Sequence, residues 1–246
     1  MSTAPVHVIL GASGGIGAAL ANELHTSGAH LVLAARDPAR LHAVADPLGA
    51  LAVPTDALES AQVDALFARA IEAHGRVDGV AVCVGSILLK PLHLTTDEEF
   101  RRTLDQNIWP AFCATRAAVR LMQEHGGSIV LFASAASESG IANHEAIAAA
   151  KSAVAGLARS TAATYASKRI RVNAIAPGLV RTAMSARITG NAGALAASTA
   201  MHPLGRIGEA GEVARLAAFL LDPRNSWMTG SVLSIDGGLA ALRGRA

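Results

Sequence analysis

Short apolar runs of strand length alternate with longer helical patterns along this chain of 246 residues. Val6–Leu10 is the first apolar run, a helical pattern follows over 15–26, and His30–Ala35 is the next run. Such alternation is typical of βαβ units, in which each helix carries the chain back across the sheet so that the strands lie parallel. We therefore predict an α/β fold: a doubly wound, three-layer sandwich around a seven-stranded, mostly parallel sheet.

The alternation continues to the end of the chain without a linker, a repeat or a low-complexity tract. Asp37 before Pro38 is an N-cap pattern, and Thr96 with Glu99 is a capping box that marks a helix start. We expect a single domain over 1–246. Its further strands are predicted at Leu51–Pro54, 80–84, 128–133, 172–175 and 231–235, and its further helices at 38–45, 59–74, 97–125, 143–167 and 209–221.

Composition excludes several classes of protein. Hydrophobic residues make up 51% of the chain and charged residues 16%, which rules out a disordered chain. The net charge is +2 without a basic stripe, so no nucleic acid partner is expected. Cys83 and Cys113 lie in apolar runs and the nine histidines lack ligand spacing, so no metal site is predicted. No apolar stretch is long enough for a membrane span or a signal peptide, and we expect a cytoplasmic protein.

A glycine-rich loop joins the first strand to the first helix. Glycines there permit a tight turn and let backbone N–H groups approach a pyrophosphate, while the helix N-terminus adds partial positive charge. A plain tight turn is the alternative, but the position directly after the first strand favours dinucleotide binding. The residues assigned to this phosphate loop are Gly11, Ser13, Gly14, Gly15, Ile16 and Gly17.

Further motifs follow in a fixed order along the chain. They are Asp56-Ala57, Val84-Gly85, Asn107, Ser134, Lys151, Pro177-Gly178-x-Val180-x-Thr182, Thr229-Gly230 and Asp236-Gly237-Gly238. Together with the phosphate loop, this set resembles the motifs of the short-chain dehydrogenase/reductase family over about residues 5–238. The resemblance implies a Rossmann-type fold, a nicotinamide cofactor, hydride transfer with a small-molecule substrate, and a homodimer or homotetramer.

The resemblance also implies roles for individual positions. In the family, an acid at the position of Asp56 contacts the adenine ring, and a turn that ends at Gly85 follows the fourth strand. Asn107 matches an asparagine that supports a proton-relay water, and Ser134 matches the catalytic serine. The loop over 177–182 matches one that holds the nicotinamide carboxamide. The turn departs from the family, because it keeps only the glycine of an Asn-Asn-Ala-Gly pattern.

The end of the second strand bears on which cofactor is bound. Members that use NAD carry an acid at the position of Ala35, and here Arg36 follows instead. An arginine can meet a 2′-phosphate with a charge-assisted contact, and Arg40 can add to it one turn later. Asp37 is interpreted as the N-cap of the next helix, not as the NAD-type acid. We therefore predict NADP as the cofactor, with NADPH favoured over NADH.

One residue that the family needs is missing. Its reaction uses a tyrosine four residues before a lysine, and the lysine also binds the nicotinamide ribose. Lys151 matches the lysine, but Ile147 occupies the tyrosine position, and the spacing from Ser134 argues against an alignment slip. Tyr165, the only tyrosine, stands three residues before Lys168 and late in the helix, so we interpret it as a packing or surface residue.

Three functions stay open, because loss of a positioned general acid typically costs about 10² to 10⁴ in rate. The first is an active reductase of a small carbonyl or imine. His144 is then a substitute donor, one turn before Ile147 on the same helical face, although a solvent-facing helix start is the alternative for it. Glu145 is a weaker substitute because it points away. An iminium substrate needs no donor, since it already carries positive charge.

The second function is that of a catalytically inert NADP-binding protein with a regulatory or scaffold role. The third is a non-redox enzyme, such as a lyase or dehydratase, on the same fold. Lys151 supports cofactor binding but not catalysis in particular. Ser134 and Asn107 are harder to explain in an inert protein, so the active reductase is our working hypothesis.

Two further segments carry predictions about binding and assembly. The segment 185–201 is rich in Ala, Gly, Ser and Thr, and its periodicity is poor. We predict a lid over the substrate there, with a short pair of surface helices as the alternative. The Ala-rich helices near 97–125 and 143–167 are apolar on more than one face, which favours a dimer or tetramer.

Overall fold

A computed structural model of the chain describes residues 4–242. The predicted domain over 1–246 therefore extends past the described residues, since 1–3 and 243–246 lie outside them. Within 4–242 the strands are β1 (Val6–Leu10), β2 (His30–Ala35), β3 (Leu51–Pro54), β4 (Gly79–Val82), β5 (Gly127–Phe132), β6 (Ile170–Pro177), β7 (Val180–Arg181), β8 (Gly208–Glu209) and β9 (Val232–Ile235).

Seven of these strands form one sheet in the order β3-β2-β1-β4-β5-β6-β9. Every pairing in this sheet is parallel. The prediction of a doubly wound α/β fold with seven strands is thus confirmed, and the sheet is parallel throughout instead of mostly so. The two-residue strands β7 and β8 pair with each other in a small second sheet that the sequence did not predict.

The helices cover both faces of the large sheet. Helices α3, α4 and α5 pack side by side on one face. On the other face α1 packs against α8, and α2 covers the same face. These are the three layers that were predicted. The helices described are α1 (Gly15–Thr26), α2 (Pro38–Ala45), α3 (Ser60–His74), α4 (Asp97–Met122), α5 (Glu145–Tyr165), α6 (Ala186–Thr189), α7 (Ala192–Met201) and α8 (Ala210–Leu221).

The core consists of two aliphatic layers, one on each side of the sheet. Val8 and Leu10 belong to the layer under α3, α4 and α5, whereas Ile9 between them belongs to the layer under α1, α2 and α8. Because helices cover both faces, every residue of β1 is buried. This explains why the strands appear in the sequence as continuous apolar runs and not as alternating ones.

Local hydrogen bonds set the helix starts that the sequence predicted. Asp37 accepts a hydrogen bond from Arg40 N at 3.1 Å and caps α2. Thr96 and Glu99 form the expected capping box at the start of α4. Both predictions are confirmed, and α4 places its acidic first turn at the positive end of the helix dipole.

Two helices are shorter than predicted. Helix α5 begins at Glu145 and not at position 143, because Asn143 has a φ of 63°, a left-handed conformation that a right-handed helix cannot include. Helix α4 ends at Met122, whose carbonyl accepts a 2.8 Å hydrogen bond from Gly126 N. Gly126 has a φ of 82°, so this is a left-handed cap that turns the chain into β5.

The strand order reverses between β1 and β4, the two central strands. The connections from these strands leave in opposite directions, which opens a crevice at their carboxyl ends. The loops after β1, β4, β5 and β6 therefore meet at one edge of the sheet. Most of the residues singled out in the sequence lie on these loops or at the adjoining helix starts.

Candidate active site

The loop after β1 turns sharply onto α1. Gly11 has a φ of 80°, and a Cβ at this position would lie 2.7 Å from Cys83 O, so the turn requires glycine. A Cβ on Gly15 would lie 2.8 Å from Thr182 Cγ2. Gly14 is the N-cap and has no side chain with which to cap the helix. The N-terminal N–H groups of α1 are therefore available to bind an anion.

A cavity of about 470 Å³ extends from this loop past the ends of β2, β3 and β4. Its volume is in the usual range for small-molecule sites. It takes in Ser86, Gln106 and Met184, which sequence reasoning missed because they belong to no motif. The predicted cofactor residues that line it are Gly11, Ser13, Gly14, Gly15, Ile16, Gly17, Arg36, Asp56, Ala57, Val84, Gly85 and Thr182.

Two arginines line one end of this cofactor cavity. Arg40 Nη2 donates to Ser13 O at 3.1 Å, which holds the guanidinium against the glycine loop. Arg36 is exposed at the same end. Asp37 does not line the cavity, since its side chain caps α2. Within 4–242, Asp56 is the one carboxylate in the lining, so the β2 end of the cavity is positively charged.

Asp56 is held in place just after β3, the strand that pairs with β2. Its Oδ1 accepts a hydrogen bond from Leu58 N at 3.0 Å, and its own N–H donates to Gln62 Oε1 at 2.8 Å. A carboxylate fixed in this way can accept a further hydrogen bond from an amino group on a ligand. With the glycine loop for a pyrophosphate and the arginines for another phosphate, the residues present fit a phosphorylated dinucleotide.

Lys151 is buried beside the turn after β4. Its Nζ donates to Phe132 O at 2.9 Å, and a Cβ on Gly85 would lie 3.1 Å from Nζ. Burial lowers the pKa of Lys151 to about 8, because the ammonium loses its hydration, and the nearby Cys83 offsets this in part. Burial raises the pKa of the Cys83 thiol to about 12, so this thiol stays protonated at neutral pH.

Asn107 on α4 braces the same turn. Its Nδ2 donates to Ser86 Oγ at 2.9 Å and to Thr103 O at 2.8 Å, while its Oδ1 accepts from Ser86 N at 3.2 Å. Asn107 is fully buried and does not line the cofactor cavity. In this arrangement it fixes the loop after β4, and its predicted support of a proton-relay water stays a prediction.

A second cavity, of about 140 Å³, lies at the carboxyl end of β5. Ser134 lines it, and its Oγ accepts a hydrogen bond from Ala136 N at 3.2 Å, which leaves the hydroxyl hydrogen to donate elsewhere. Ile147 is buried on α5 and lines the same cavity. Ile147, the residue predicted to occupy the family's tyrosine position, is therefore an apolar wall in the same cavity as Ser134.

His144 lines this cavity from the turn before α5. The sequence predicted His144 inside the helix, but the left-handed Asn143 delays the helix start and leaves His144 as the N-cap, three residues before Ile147. The cavity nevertheless brings the two side chains together. His144 Nδ1 donates to Ala142 O at 2.7 Å, so the neutral ring presents Nε2 as an acceptor. Glu145 is exposed and outside the lining.

His202 is a lining residue that sequence reasoning missed, since a lone histidine outside any motif gives no signal. It is buried, its Nδ1 donates to Ser198 O at 2.6 Å, and its Nε2 accepts from Leu179 N at 3.1 Å. A Cβ on Gly178 would lie 2.6 Å from Nε2. His202 therefore fixes the end of α7 against the loop after β6, and both its ring nitrogens are occupied.

The remaining predicted residues are placed as follows. Pro177 and Gly178 line the second cavity and not the first, and Val180 is buried outside both linings. Tyr165 packs against the core at the last residue of α5, as expected for a packing residue. At a rise of 1.5 Å per residue it lies about 27 Å along the helix from Ile147, too far to replace a tyrosine there.

The segment 185–201 forms the two short helices α6 and α7. Ile188, Ser198 and Met201 from this segment line the second cavity. Ser185 Oγ anchors the start of the segment by donating to Val180 O at 2.6 Å. The segment thus forms the pair of short helices and also contributes to the wall of the second cavity. Its movement as a lid stays a prediction.

No cluster of three or more histidine, cysteine or acidic residues within 4–242 could hold a metal ion. Over the same residues, no helix has the length and apolar character needed to cross a membrane.

One family model and three known proteins resemble this chain over nearly its whole length. Residues 11–240 match the model described as enoyl-(acyl carrier protein) reductase. The chain is 36% identical over 244 residues to a 2,5-dichloro-2,5-cyclohexadiene-1,4-diol dehydrogenase of Sphingobium indicum, covering 96% of each chain. A solved short-chain type dehydrogenase/reductase of Mycobacterium ulcerans has a TM-score of 0.92 at 32% identity, over 99% of this chain and 93% of the other. The structure of ElxO with NADP bound has a TM-score of 0.90 at 26% identity, over 98% and 100%.

Proposed function

The chain belongs to the short-chain dehydrogenase/reductase family, and from this premise we propose that it is an NADPH-dependent oxidoreductase of a small cyclic carbonyl or imine compound, with Ile147 in place of the family's tyrosine. The bound nicotinamide supplies or accepts the hydride. The cyclic substrate is suggested by the relative from Sphingobium indicum, whose name describes a ring diol.

The adjacency of the two cavities carries this proposal. Ser86 lines the cofactor cavity, and its neighbour Ile87 lines the second cavity. A dinucleotide whose phosphates bind the glycine loop can therefore reach the second cavity with its other end. Two of the predicted catalytic residues lie near the point where the cavities meet. Ser134 lines the second cavity, and Lys151 lies beside Gly85. The second cavity is then the substrate site.

The preference for NADPH is supported by the charge at the β2 end. Arg36 and Arg40 line that end, and Asp37 between them does not, because its side chain caps α2, while Ala35 occupies the strand end. A 2′-phosphate gains charge-assisted hydrogen bonds from arginine that a ribose hydroxyl cannot. The neighbour with NADP bound agrees with this choice.

Lys151 favours a carbonyl over an imine. Its buried ammonium makes its hydrogen bond to a neutral carbonyl, that of Phe132, so its charge is not neutralised by that partner. A fixed positive charge stabilises the negative charge that develops on a carbonyl oxygen and opposes a cationic iminium. Ser134 donates its hydroxyl hydrogen to the same oxygen. The apolar Ile147 is the observation that favours the imine, since hydride addition to an iminium needs no acid.

In this proposal His144 donates the proton. The hydrogen bond from Nδ1 to Ala142 O orients the ring, so that a protonated His144 has its Nε2–H to give. The lining of the substrate cavity contains no Asp, Glu, Lys, Arg or Tyr among the described residues. If His144 does not act, solvent must supply the proton, and turnover is slow.

A catalytically inert NADP-binding protein is the second candidate, and Ile147 itself is the observation that favours it. The deciding experiment incubates the protein with NADPH and a panel of cyclic ketones and cyclic imines, and follows NADPH absorbance. Consumption with a ring ketone is expected. Tight NADPH binding, measured by fluorescence, without consumption on any compound would favour the inert protein.

A second copy of the chain is the proposed partner. Trp109 and Phe112 on α4 stack with ring centroids 5.5 Å apart, and they are 41% and 37% exposed. Helix α4 packs on the sheet and on α5 with its other sides, so this aromatic pair is an outer apolar face. Its burial in a dimer or tetramer is favourable. We also propose that the protein is located in the cytoplasm.

A further inference from the structure

The substrate cavity is almost entirely aliphatic. Ile87, Leu89, Ile147 and Met201 are among the residues that form its walls, together with other aliphatic side chains. No residue of its lining, all of it within 4–242, carries a charged carboxylate, ammonium or guanidinium group. Lys151 lies outside the lining and turns its ammonium to Phe132 O. A carboxylate that entered this cavity would lose hydration, and no side chain of the lining would supply a counter-charge as long as His144 is neutral.

The polar groups of the cavity are few and neutral. His202 offers nothing to a ligand, because its two ring nitrogens bind Ser198 O and Leu179 N. Ser134 can donate one hydrogen bond, the Ser198 hydroxyl can donate or accept, and the neutral His144 ring can accept one. The site therefore matches a ligand whose hydrogen-bonding groups are neutral, such as a carbonyl acceptor and a hydroxyl donor.

The size of the cavity limits the ligand further. Its volume of about 140 Å³ is close to that of a roughly 150 Å³ apolar cavity that holds one benzene molecule. A single six-membered ring with small substituents fits such a space, whereas a fused bicyclic compound would have to extend past the rim of the cavity toward solvent.

From these three observations we propose that the cavity selects an uncharged, single-ring substrate and rejects ring compounds that carry a carboxylate. This inference rests on the proposed function for the position of the substrate. Leu89 is the residue that sets the charge specificity, because it lines the cavity at its rim and is 43% exposed, with one side to the ligand and the other to solvent. A cation at this position would be hydrated when the site is empty and would pair with a carboxylate when it is filled.

The test compares 4-hydroxycyclohexanone with 4-oxocyclohexanecarboxylate, two rings of equal size that differ in charge. Binding is measured by ligand-detected NMR with NADP⁺ present, and turnover by NADPH absorbance. The neutral ring is expected to bind about 100-fold more tightly, because an unpaired buried carboxylate is strongly disfavoured. The variant Leu89→Arg should improve binding of the carboxylate at least about tenfold, as a charge-assisted pair does. Leu92→Arg is the matched control, since Leu92 is exposed nearby but outside the lining.

The outcomes separate this inference from the proposed function. Preferential binding of the neutral ring without turnover would uphold the inference and contradict the function. Equal or tighter binding of the carboxylate by the parent protein would overturn the inference, even if both compounds were reduced. Binding of neither compound, or equal effects of Leu89→Arg and Leu92→Arg, would also overturn it.

Discussion

Lys151 lies one helical turn beyond Ile147 on α5, and both side chains are buried. Under the proposed function, Lys151 is the family's lysine and Ile147 stands in place of the tyrosine. The lysine can still bind a nicotinamide ribose, but the side chain that faces the substrate cavity has no proton to exchange. Cofactor binding and proton transfer therefore depend on different residues here, and each can be tested by its own substitution.

The variant Ile147→Tyr should increase ketone reduction. Lys151 already stands four residues further on, and Ser134 already lines the cavity, so that a phenol at position 147 has both of its usual partners. A positioned general acid contributes about 10² to 10⁴ in rate, and we expect an increase in kcat of at least about tenfold. The measurement is the steady-state rate of NADPH consumption with a cyclic ketone.

Ile147→Phe is the matched control for this substitution, because it adds the same ring without the hydroxyl. The phenylalanine variant should show no increase. If the tyrosine variant bound NADPH normally and still reduced ketones no faster than the phenylalanine variant, the interpretation as a latent reductase site would fail. The inert NADP-binding protein would then be the better hypothesis.

The variant His144→Ala should abolish turnover if His144 is the proton donor. The measurement is the steady-state rate of NADPH consumption with a cyclic ketone. Glu145→Ala is the control, since Glu145 is exposed next to His144 and outside the cavity. A rate of His144→Ala that matched the parent would assign the proton to solvent.

The variant Arg36→Ala should weaken NADPH binding about tenfold or more, since a charged contact to a phosphate contributes about 1.5 to 3 kcal/mol. Its affinity for NADH should be unchanged, because NADH has no 2′-phosphate. Both affinities can be titrated by fluorescence or calorimetry. Arg69→Ala removes an equally exposed arginine that pairs with Glu72 on α3, and it should alter neither affinity. Equal NADPH and NADH affinities in the parent protein would refute the cofactor preference.

His7 should make the protein sensitive to acid. Burial lowers the pKa of His7 from 6.5 to about 4, and the attraction of Asp78 and Asp222 offsets this only in part. The unfolded chain therefore binds a proton between these values that the folded chain does not. The free energy of unfolding should fall as pH decreases from about 6.5 to about 4, by on the order of 3 kcal/mol from this residue.

The variant His7→Leu tests this expectation by urea denaturation at several pH values. Between about pH 6.5 and about pH 4, its free energy of unfolding should fall less than that of the parent protein. Above about pH 6.5, the two free energies should depend on pH in the same way. His93→Leu replaces an exposed histidine and serves as the control. Parallel curves for the parent and His7→Leu would show that His7 does not carry the acid sensitivity.

The variant Trp109→Glu should disrupt the proposed assembly, because it places a charge on the outer aromatic face of α4. Light scattering of the parent at micromolar concentration should give two or four times the chain mass of about 25 kDa. The variant should shift toward the single-chain mass. Phe219→Glu, on an exposed position of α8, is the control for a change on another helix. A parent mass of about 25 kDa would refute the prediction of an oligomer.

The sequence alone was sufficient for the fold, and local chemistry explains why. Continuous aliphatic runs identified the strands, because strands covered on both faces need apolar side chains at every position. The caps at Asp37 and Thr96 were predictable because a cap depends on residues three or four positions apart. The glycine loop was equally accessible, since Gly11 and its neighbours lie in one short segment between β1 and α1.

The tertiary structure decided what the substrate cavity contains. Its walls come from the loops after β4, β5 and β6, from the start of α5, from α6 and α7, and from the chain after β9, which are far apart in sequence. His202 enters the cavity only through this packing, and no pattern around it marks it in advance. His144 was placed on the wrong element, because one left-handed residue, Asn143, decides where α5 begins. Backbone periodicity and capping act over a few residues and are encoded locally, whereas the charge and volume of a cavity depend on which distant side chains meet.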